Sequence, residues 1–299
     1  MNVHLVDGTW ELFRHHFGAP AALDAAGRPA GAVRGVVASL LGMLERGATH
    51  VAVATDHVIE SFRNDLWPGY KTGAGIDPVL LAQFRPLEEA LRSLGVQVWA
   101  MEELEADDGL ASGAARAARD PRVERVYICT PDKDLSQCVA GERVVQWDRR
   151  RDEIRDERGV VAKFGVPPAS IPDYLALVGD SADGFPGVPG WGPKSTSTVL
   201  GRYGHLEHIP GRPDRWDVAV RGAKRLAASL AANRSAALLF RDLATLRDGA
   251  AVFDRVDELE WTGPDPGFRD FAADIGVSGF WKRAVRLRES RFGTGDMST

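Results

Sequence analysis

Asp180 and Asp183 stand three residues apart at the start of Gly179-Asp180-Ser181-Ala182-Asp183-Gly184-Phe185-Pro186-Gly187-Val188-Pro189-Gly190-Trp191-Gly192-Pro193-Lys194. Besides these two carboxylates the stretch carries a glycine-rich turn, a proline suited to the first position of a helix, and a lysine in that helix's first turn. Those residue types allow two jobs. The carboxylates can hold a hard cation. The turn and the following helix N-terminus can receive a phosphate backbone, because glycine permits close approach and the first helical N–H groups have no partner within the helix.

Other acids recur along the chain at Asp7, Asp56, Glu105, Asp107, Asp108, Asp132 and Asp134. Together with Asp180 and Asp183 they could not all stay ionised in one cleft unless cations neutralised them. Donors that are all oxygen select magnesium or manganese over zinc. Two such ions about 4 Å apart clamp a phosphodiester, one activating water and the other stabilising the leaving oxygen. Taken singly, the acids have plainer explanations. Asp107-Asp108 complements a helix dipole, Asp132 and Asp134 read as an N-cap and a first-turn acid, and Asp7-Gly8 reads as a turn.

The elements that carry the acids decide between these readings. Strands are expected at 2–6, 50–55, 96–101, 125–130 and 143–147, with helices at 31–46, 78–94 and from the acidic run 102–108 to about 119. Alternation of strand and helix predicts an α/β fold with a mostly parallel twisted sheet flanked by helices. Asp7, Asp56, the Glu105 to Asp108 cluster, and Asp132 with Asp134 each follow a strand's C-terminal end, the edge where such sheets bind ligands. Their common placement favours a metal site over separate local roles. Beyond residue 150 short helices are expected at 159–165 and 170–178, a helix at 193–203, further helices within 220–247, and a frayed tail after 289.

Arg14, Arg63 and Lys71 follow the first two acidic positions and offer positive charge to a scissile phosphate, although for Arg63 an ordinary surface role fits as well. Phe62, Trp67 and Tyr70 are core residues by default, and beside a basic loop they can also stack on an unpaired base. With 299 residues, 44% of them hydrophobic, the chain can bury a sizeable core. A net charge of −5 argues against a nucleic-acid coat, but acids gathered into metal-neutralised clusters weaken that argument. Cys129 and Cys138 are too few for a disulfide framework, and there is neither a basic leader nor a membrane-length apolar run. A reduced, cytoplasmic, membrane-free protein is expected.

Five motifs in order carry a resemblance: Asp7-Gly8 with Arg14; Ser61-Phe62-Arg63 with Tyr70-Lys71; Glu105-Ala106-Asp107-Asp108; Thr130-Pro131-Asp132-Lys133-Asp134-Leu135; and Gly179 through Lys194. They resemble the 5′-3′ exonuclease and flap endonuclease family, in particular the N-terminal 5′-nuclease domain of bacterial DNA polymerase I and its stand-alone relatives. The resemblance implies a PIN-like core with a helical arch over 1–158 and a helix-3-turn-helix DNA-binding module over 159–250. Residues 251–299, too few for a polymerase domain, then pack on the core as a helical segment and tail, with Trp261, Phe268, Phe271, Phe280 and Trp281 as anchors.

By the same likeness, Asp7, Asp56, Glu105, Asp107 and Asp108 are ligands of a first metal region, and Asp132, Asp134, Asp180 and Asp183 complete a second. Lys71 resembles the catalytic lysine at the base of the arch and Arg14 a phosphate-contacting arginine. Arg63, Tyr70, Gly187, Val188, Gly190, Gly192, Lys194 and Ser195 are the expected DNA contacts, with a potassium ion at the hairpin. Departures from the family pattern are Ala74 where the arch loop usually has arginine, Trp191 for a small aliphatic residue, Ser195-Thr196 for Thr-Ala, Gly184 after Asp183, and Thr55 before Asp56. None removes a carboxylate.

The function implied is divalent-metal-dependent hydrolysis of DNA at a duplex beside a 5′ end or flap, by in-line attack of water that leaves a 5′-phosphate, during replication and repair. A monomer working beside a polymerase is expected. A binding protein of the same fold without strong catalysis is the alternative, and the intact carboxylate set speaks against it. A PIN-type ribonuclease would leave residues 160–205 unexplained.

Overall fold

In the computed structural model, which describes residues 1–293, β1 (Asn2–Asp7) leads into α1 (Gly8–Gly18), and α2 (Gly31–Glu45) leads into β2 (His50–Asp56). Then come α3 (Phe62–Leu66), α4 (Pro78–Leu81), α5 (Phe84–Ser93), β3 (Gln97–Met101), α6 (Ala106–Ala117) and β4 (Arg125–Cys129). The hairpin β5 (Val144–Asp148) and β6 (Glu153–Arg155) precedes α7 (Glu157–Phe164), α8 (Ile171–Val178) and α9 (Pro193–Tyr203). The chain closes with α10 (Ala223–Ala232), α11 (Arg234–Ala244), α12 (Phe268–Asp274) and α13 (Gly279–Phe292).

These elements divide between two compact units, the described residues 1–59, 73–129 and 249–293 in one, and residues 60–72 and 130–248 in the other. The division differs from a boundary at 158. Residues 130–158 belong with the helical unit, because their buried Val139 shares a core with Phe164, Ile171 and Leu175. Residues from 249 onward return to the first unit.

The first unit is a mixed α/β layer structure. Its strands lie in the order β3, β2, β1, β4 and pair in parallel, with Asp7 opposite Ala54 and Asp56 opposite Met101. Val51, Ala52, Val53 and Ala54 are all buried, as expected of a parallel strand covered on both faces. Asp7 ends β1 and caps α1, its Oδ1 accepting from the Trp10 N–H at 2.8 Å. Gly8 is required there. A Cβ would lie 2.6 Å from the Val53 side chain, so only glycine lets α1 start this close to β2.

The helix expected over 78–94 is two helices. Pro86 has no N–H for a fourth-residue bond, so it can stand only in a first turn, which is where α5 places it. Gln83 joins the pieces, taking the Ala32 N–H on Oε1 at 2.9 Å and donating Nε2 to the Val79 carbonyl at 2.9 Å. Helix α1 and the short α3, in what reads as a basic and aromatic loop, are further additions to the expected elements. Ser61 and Asn64 form a capping box around α3.

Trp261 anchors the C-terminal segment to this unit. It is 1% exposed, its indole donates to the Leu94 carbonyl at 2.8 Å, and its backbone N–H donates to the Thr49 carbonyl at 2.8 Å. Trp261→Ala is expected to cost about 3–5 kcal/mol of stability, checked by denaturant unfolding of the whole chain. A loss under about 1 kcal/mol would mean the segment is not part of the cooperative unit. Residues up to Phe292 are helical where a frayed tail is expected after 289, and residues 294–299 lie outside the described residues.

The second unit is mostly helical. Strands β5 and β6 pair antiparallel, with Trp147 opposite Ile154. Strand β6 is hidden in the sequence by its charged neighbours, and Asp152 takes a left-handed backbone (φ 54°) to reach it. Helices α8 and α11 carry the core, in which Phe185 stacks on Phe240 with ring centroids 5.6 Å apart. Asp173, 2% exposed, accepts from His205 at 2.8 Å, from the Leu206 N–H at 3.2 Å and from Arg241 at 3.2 Å. That buried carboxylate fixes the chain after α9 to α8 and α11. Among the described residues no helix is long and apolar enough to cross a membrane.

Candidate metal centre and nucleic-acid interface

In the second unit, Asp134, Asp180 and Asp183 each offer a carboxylate oxygen within 4.8 Å of the others. Local structure explains the approach. Asp180 and Phe185 exchange backbone hydrogen bonds at 2.8 and 3.0 Å, closing a tight turn that carries Asp183, and the stacked Phe185 ring holds this turn on α11. The turn's exit needs glycine twice. Gly179 (φ 86°) and Gly187 (φ 72°) touch backbone to backbone, and a Cβ on either would meet main-chain atoms at about 2.5 Å. Asp134 opens a 3-10 turn (Asp134–Cys138), its N–H bonded to Asp132 Oδ1 at 2.9 Å.

Gln146, 1% exposed, steadies the loop that carries Asp132 and Asp134. Its Nε2 donates to the Thr130 carbonyl at 3.2 Å and to the Asp132 carbonyl, while Oε1 accepts from Ser136 at 2.9 Å and Arg155 at 3.2 Å. Nothing in the sequence marks Gln146, since its role comes only from the pairing of β5 with the rest of this unit.

Two ammonium groups stand against the three carboxylates. Lys71 Nζ lies 2.9 Å from Asp183 Oδ1, and Lys133 Nζ lies against Asp180 and 3.4 Å from Asp134. Burial, and then the neighbouring carboxylates of Asp132, Asp183 and Asp180, push the Asp134 carboxyl well above its usual range against the pull of Lys133. Burial works against the Lys133 ammonium, yet Asp134, Asp180 and Asp132 together hold it above the ordinary lysine value. Asp134 Oδ1 is buried and accepts no hydrogen bond. A buried oxygen of that kind within an all-carboxylate donor set fits a hard divalent cation. Lys133 is the residue overlooked in Asp132-Lys133-Asp134, although a cation between two acids was the signal.

Lys71 is unusually well positioned for a long side chain. Its N–H donates to the Asp183 carbonyl at 3.0 Å, its carbonyl accepts from Asn64 at 2.9 Å, and its ammonium lies 5.6 Å from the Tyr70 ring centre.

In the first unit, Asp7, Asp56 and the Glu105 to Asp108 cluster sit at the C-terminal edge of β1, β2 and β3. Asp56 Oδ1 accepts from the Ala106 N–H at 2.7 Å, which ties the end of β2 to the start of α6. Glu105 and Asp108 form a capping box, with Asp108 Oδ2 taking the Glu105 N–H at 3.0 Å, and Asp107 lies half-buried in the same turn. Arg14 pairs with Glu11, a 1% exposed carboxylate that also has His15 at 3.5 Å.

Four expected DNA contacts take other roles. Arg63 is 1% exposed and donates to the carbonyls of Leu243 at 2.8 Å and Thr245 at 3.2 Å, so it ties α3 to the end of α11 instead of facing solvent. Tyr70 is 5% exposed within the core, and its ring is unavailable for base stacking. Val188 is buried with its N–H given to the Leu177 carbonyl at 2.9 Å, and Gly187 is packed on Gly179. Gly190, Gly192, Lys194 and Ser195 line an open cleft of about 460 Å³ at the N-terminus of α9. Trp191 stays inside, its indole donating to the Leu226 carbonyl at 3.2 Å. A wide ring at that position is therefore a core anchor that leaves the glycines at the surface.

Residues 2–165 match the model of the 5′-3′ exonuclease N-terminal resolvase-like domain, and residues 166–267 match the 5′-3′ exonuclease C-terminal SAM fold. DNA polymerase I of Pseudomonas aeruginosa is 36% identical over 259 residues, which are 85% of this chain and 28% of that protein. A 5′-3′ exonuclease of Aquifex aeolicus is 32% identical over 209 residues, 69% of this chain and 71% of that one. The chain thus spans about a quarter of the length of its polymerase relatives.

Among solved structures, a T5 5′-exonuclease with bound zinc ions is similar in fold (TM-score 0.60, 18% identity, 97% of this chain and 100% of that one). So is the catalytic core of Rad2 in complex with DNA substrate (TM-score 0.62, 14% identity, 95% and 90%). With its family models adjoining at residues 165 and 166 and a carboxylate cluster suited to a cation, the chain belongs to the 5′-3′ exonuclease family.

Proposed function

We propose that the protein is a divalent-metal-dependent 5′-3′ exonuclease and structure-specific 5′-flap endonuclease that hydrolyses DNA phosphodiesters. The observation that carries this reading is the approach of Asp134, Asp180 and Asp183 within 4.8 Å beside the positioned Lys71. Magnesium or manganese is the cation suited to these oxygens and would be held by the three aspartates with Asp132 adjoining, while Asp7, Asp56, Glu105, Asp107 and Asp108 would be the donors for a second ion. When bound, the ions supply Lewis-acid activation of water and of the leaving oxygen.

The chain's own residues do the rest. Lys71 carries a fixed positive charge toward the phosphate whose negative charge grows in the transition state. Arg14 steadies a neighbouring phosphate. The cleft at α9 grips duplex backbone through the N–H groups around Gly190 and Gly192, the ammonium of Lys194 and the Ser195 hydroxyl. Hairpin carbonyls around Gly190 offer a potassium ion its oxygens. Contacts of this kind recognise a duplex beside a free or flapped 5′ end without reading sequence. A monomer acting in the cytoplasm beside a replicative or repair polymerase completes the reading.

The test is cleavage of an end-labelled 5′-flap duplex in magnesium, in manganese and in chelator, with single-stranded RNA alongside. Metal-dependent cutting at the flap junction is expected. Tight flap binding without cutting in either metal would sink the catalytic reading and leave a DNA-binding protein.

A further inference from the structure

Beside Asp56 the first unit holds a second feature that the carboxylate site does not use. Helix α5 turns Phe84, Leu87, Glu88 and Leu91 inward, and among these apolar residues Glu88 is 2% exposed. A buried carboxylate needs partners. Glu88 accepts from the Thr55 hydroxyl at 2.9 Å and from His57 Nδ1 at 2.9 Å, with Arg92 3.6 Å away. Thr55 and His57 flank Asp56, so Glu88 clamps the end of β2 from below. Because a carboxylate only accepts, Nδ1 of His57 carries the hydrogen, and Nε2 is left without a partner among the described residues.

His57 lines a cleft of about 300 Å³ together with Asp56, Ile59, Leu81, Phe84 and Arg85. Arg85 is exposed and has neither ion pair nor hydrogen bond among the described residues, although a carboxylate lines the same cleft. Leu81 is 48% exposed at the rim. The cleft therefore joins an apolar wall, an unpaired guanidinium and an oriented imidazole nitrogen, and it adjoins a candidate metal ligand.

We propose that this cleft receives one unpaired nucleotide of the strand being cut, the first of the 5′ flap. The base lies against Ile59 and Leu81 with one of its N–H groups given to His57 Nε2, and its phosphate takes the Arg85 guanidinium. The assignment rests on the nuclease reading for the identity of the strand. It adds a site on the first unit that selects an unpaired base by its apolar face.

The test uses the full chain and a 5′-flap duplex carrying 2-aminopurine, or an abasic residue, at the first unpaired position, with binding followed in chelator so that nothing is cut. Binding is expected to change the 2-aminopurine fluorescence, and the abasic flap is expected to bind about five-fold or more weakly, the loss of one base's apolar contact. Arg85→Ala should weaken binding of the intact flap and lower the slope of log K against log salt by about 0.7, with Arg85→Lys restoring the slope. Arg85 is exposed and unpartnered, so these variants are expected to fold.

Equal affinity for abasic and intact flaps, with unchanged fluorescence, would overturn the proposal, as would failure to bind flap DNA at all. Cleavage of the intact flap in magnesium is scored separately. Loss of the base effect with cutting retained removes this pocket and keeps the nuclease. A base effect without cutting in either metal removes the nuclease and keeps the pocket.

Discussion

Asp180→Asn is expected to reduce cleavage of a 5′-flap duplex by roughly a thousand-fold or more while leaving DNA affinity within a few-fold of the parent. Asparagine keeps the shape and one carbonyl oxygen, so the Asp180 Oδ1 bond to the Ala182 N–H at 3.0 Å survives and the turn that carries Asp183 stays closed. What it removes is one negative charge from a cluster whose oxygens approach within 4.8 Å. It also removes the acceptor that holds Lys133 in place.

Manganese titration followed by calorimetry reads the metal site without turnover. The variant should bind at least ten-fold more weakly than the parent, a difference of about 1.4 kcal/mol. Because Asp134 is held above the usual carboxyl range, protons compete with the ion as the pH is lowered, and metal affinity in the parent should fall with it. Full cleavage by the variant, with unchanged manganese binding, would take Asp180 out of the site.

The approach of Asp134 to Asp180 and Asp183, and the placing of other acids at strand ends, were readable from the chain because strand ends and turns announce themselves locally. Asp7, Asp56 and Asp132 each follow an apolar strand, and the Gly179 to Lys194 stretch has composition enough to declare a turn before a helix. The residues that escaped are those whose role is set by distant packing. Arg63 looks like a surface cation until the carbonyls at the end of α11, 180 residues away, arrive to hold it. Tyr70 and Val188 likewise read as contacts because nothing nearby in the sequence says that α8, α9 and α11 enclose them.

Glu88 was within reach. An acid on the apolar stripe of α5, spaced with Phe84, Leu87 and Leu91, is the pattern of a buried carboxylate that has found partners. The division into units shows the same limit. Pairing of β6 with β5 and packing of Val139 draw residues 130–158 into the helical unit, and neither leaves a local mark.

Lys71→Ala is expected to lower the cleavage rate by about a hundred- to a thousand-fold, the effect of removing one preorganised donor from a developing oxyanion. The size follows from how the lysine is held. Its backbone is bonded on one side to the Asp183 carbonyl and on the other to Asn64, and its stem runs beside Tyr70, which the core fixes. Little ordering is left to be done when the substrate arrives, so the charge acts in the transition state more than in binding. Flap affinity should therefore change much less than the rate.

In the parent without metal the ammonium sits 2.9 Å from Asp183, and its removal leaves that carboxylate with one fewer cation nearby. Manganese should then bind at least as tightly to the variant as to the parent, so weak metal binding cannot explain the lost rate. Lys71→Arg keeps the charge but changes a compact ammonium to a planar fork, and only part of the rate should return. Single-turnover cleavage with saturating enzyme separates the two steps. An unchanged rate constant with weakened affinity would make Lys71 a binding residue, and unchanged values of both would leave it as a partner of Asp183 alone.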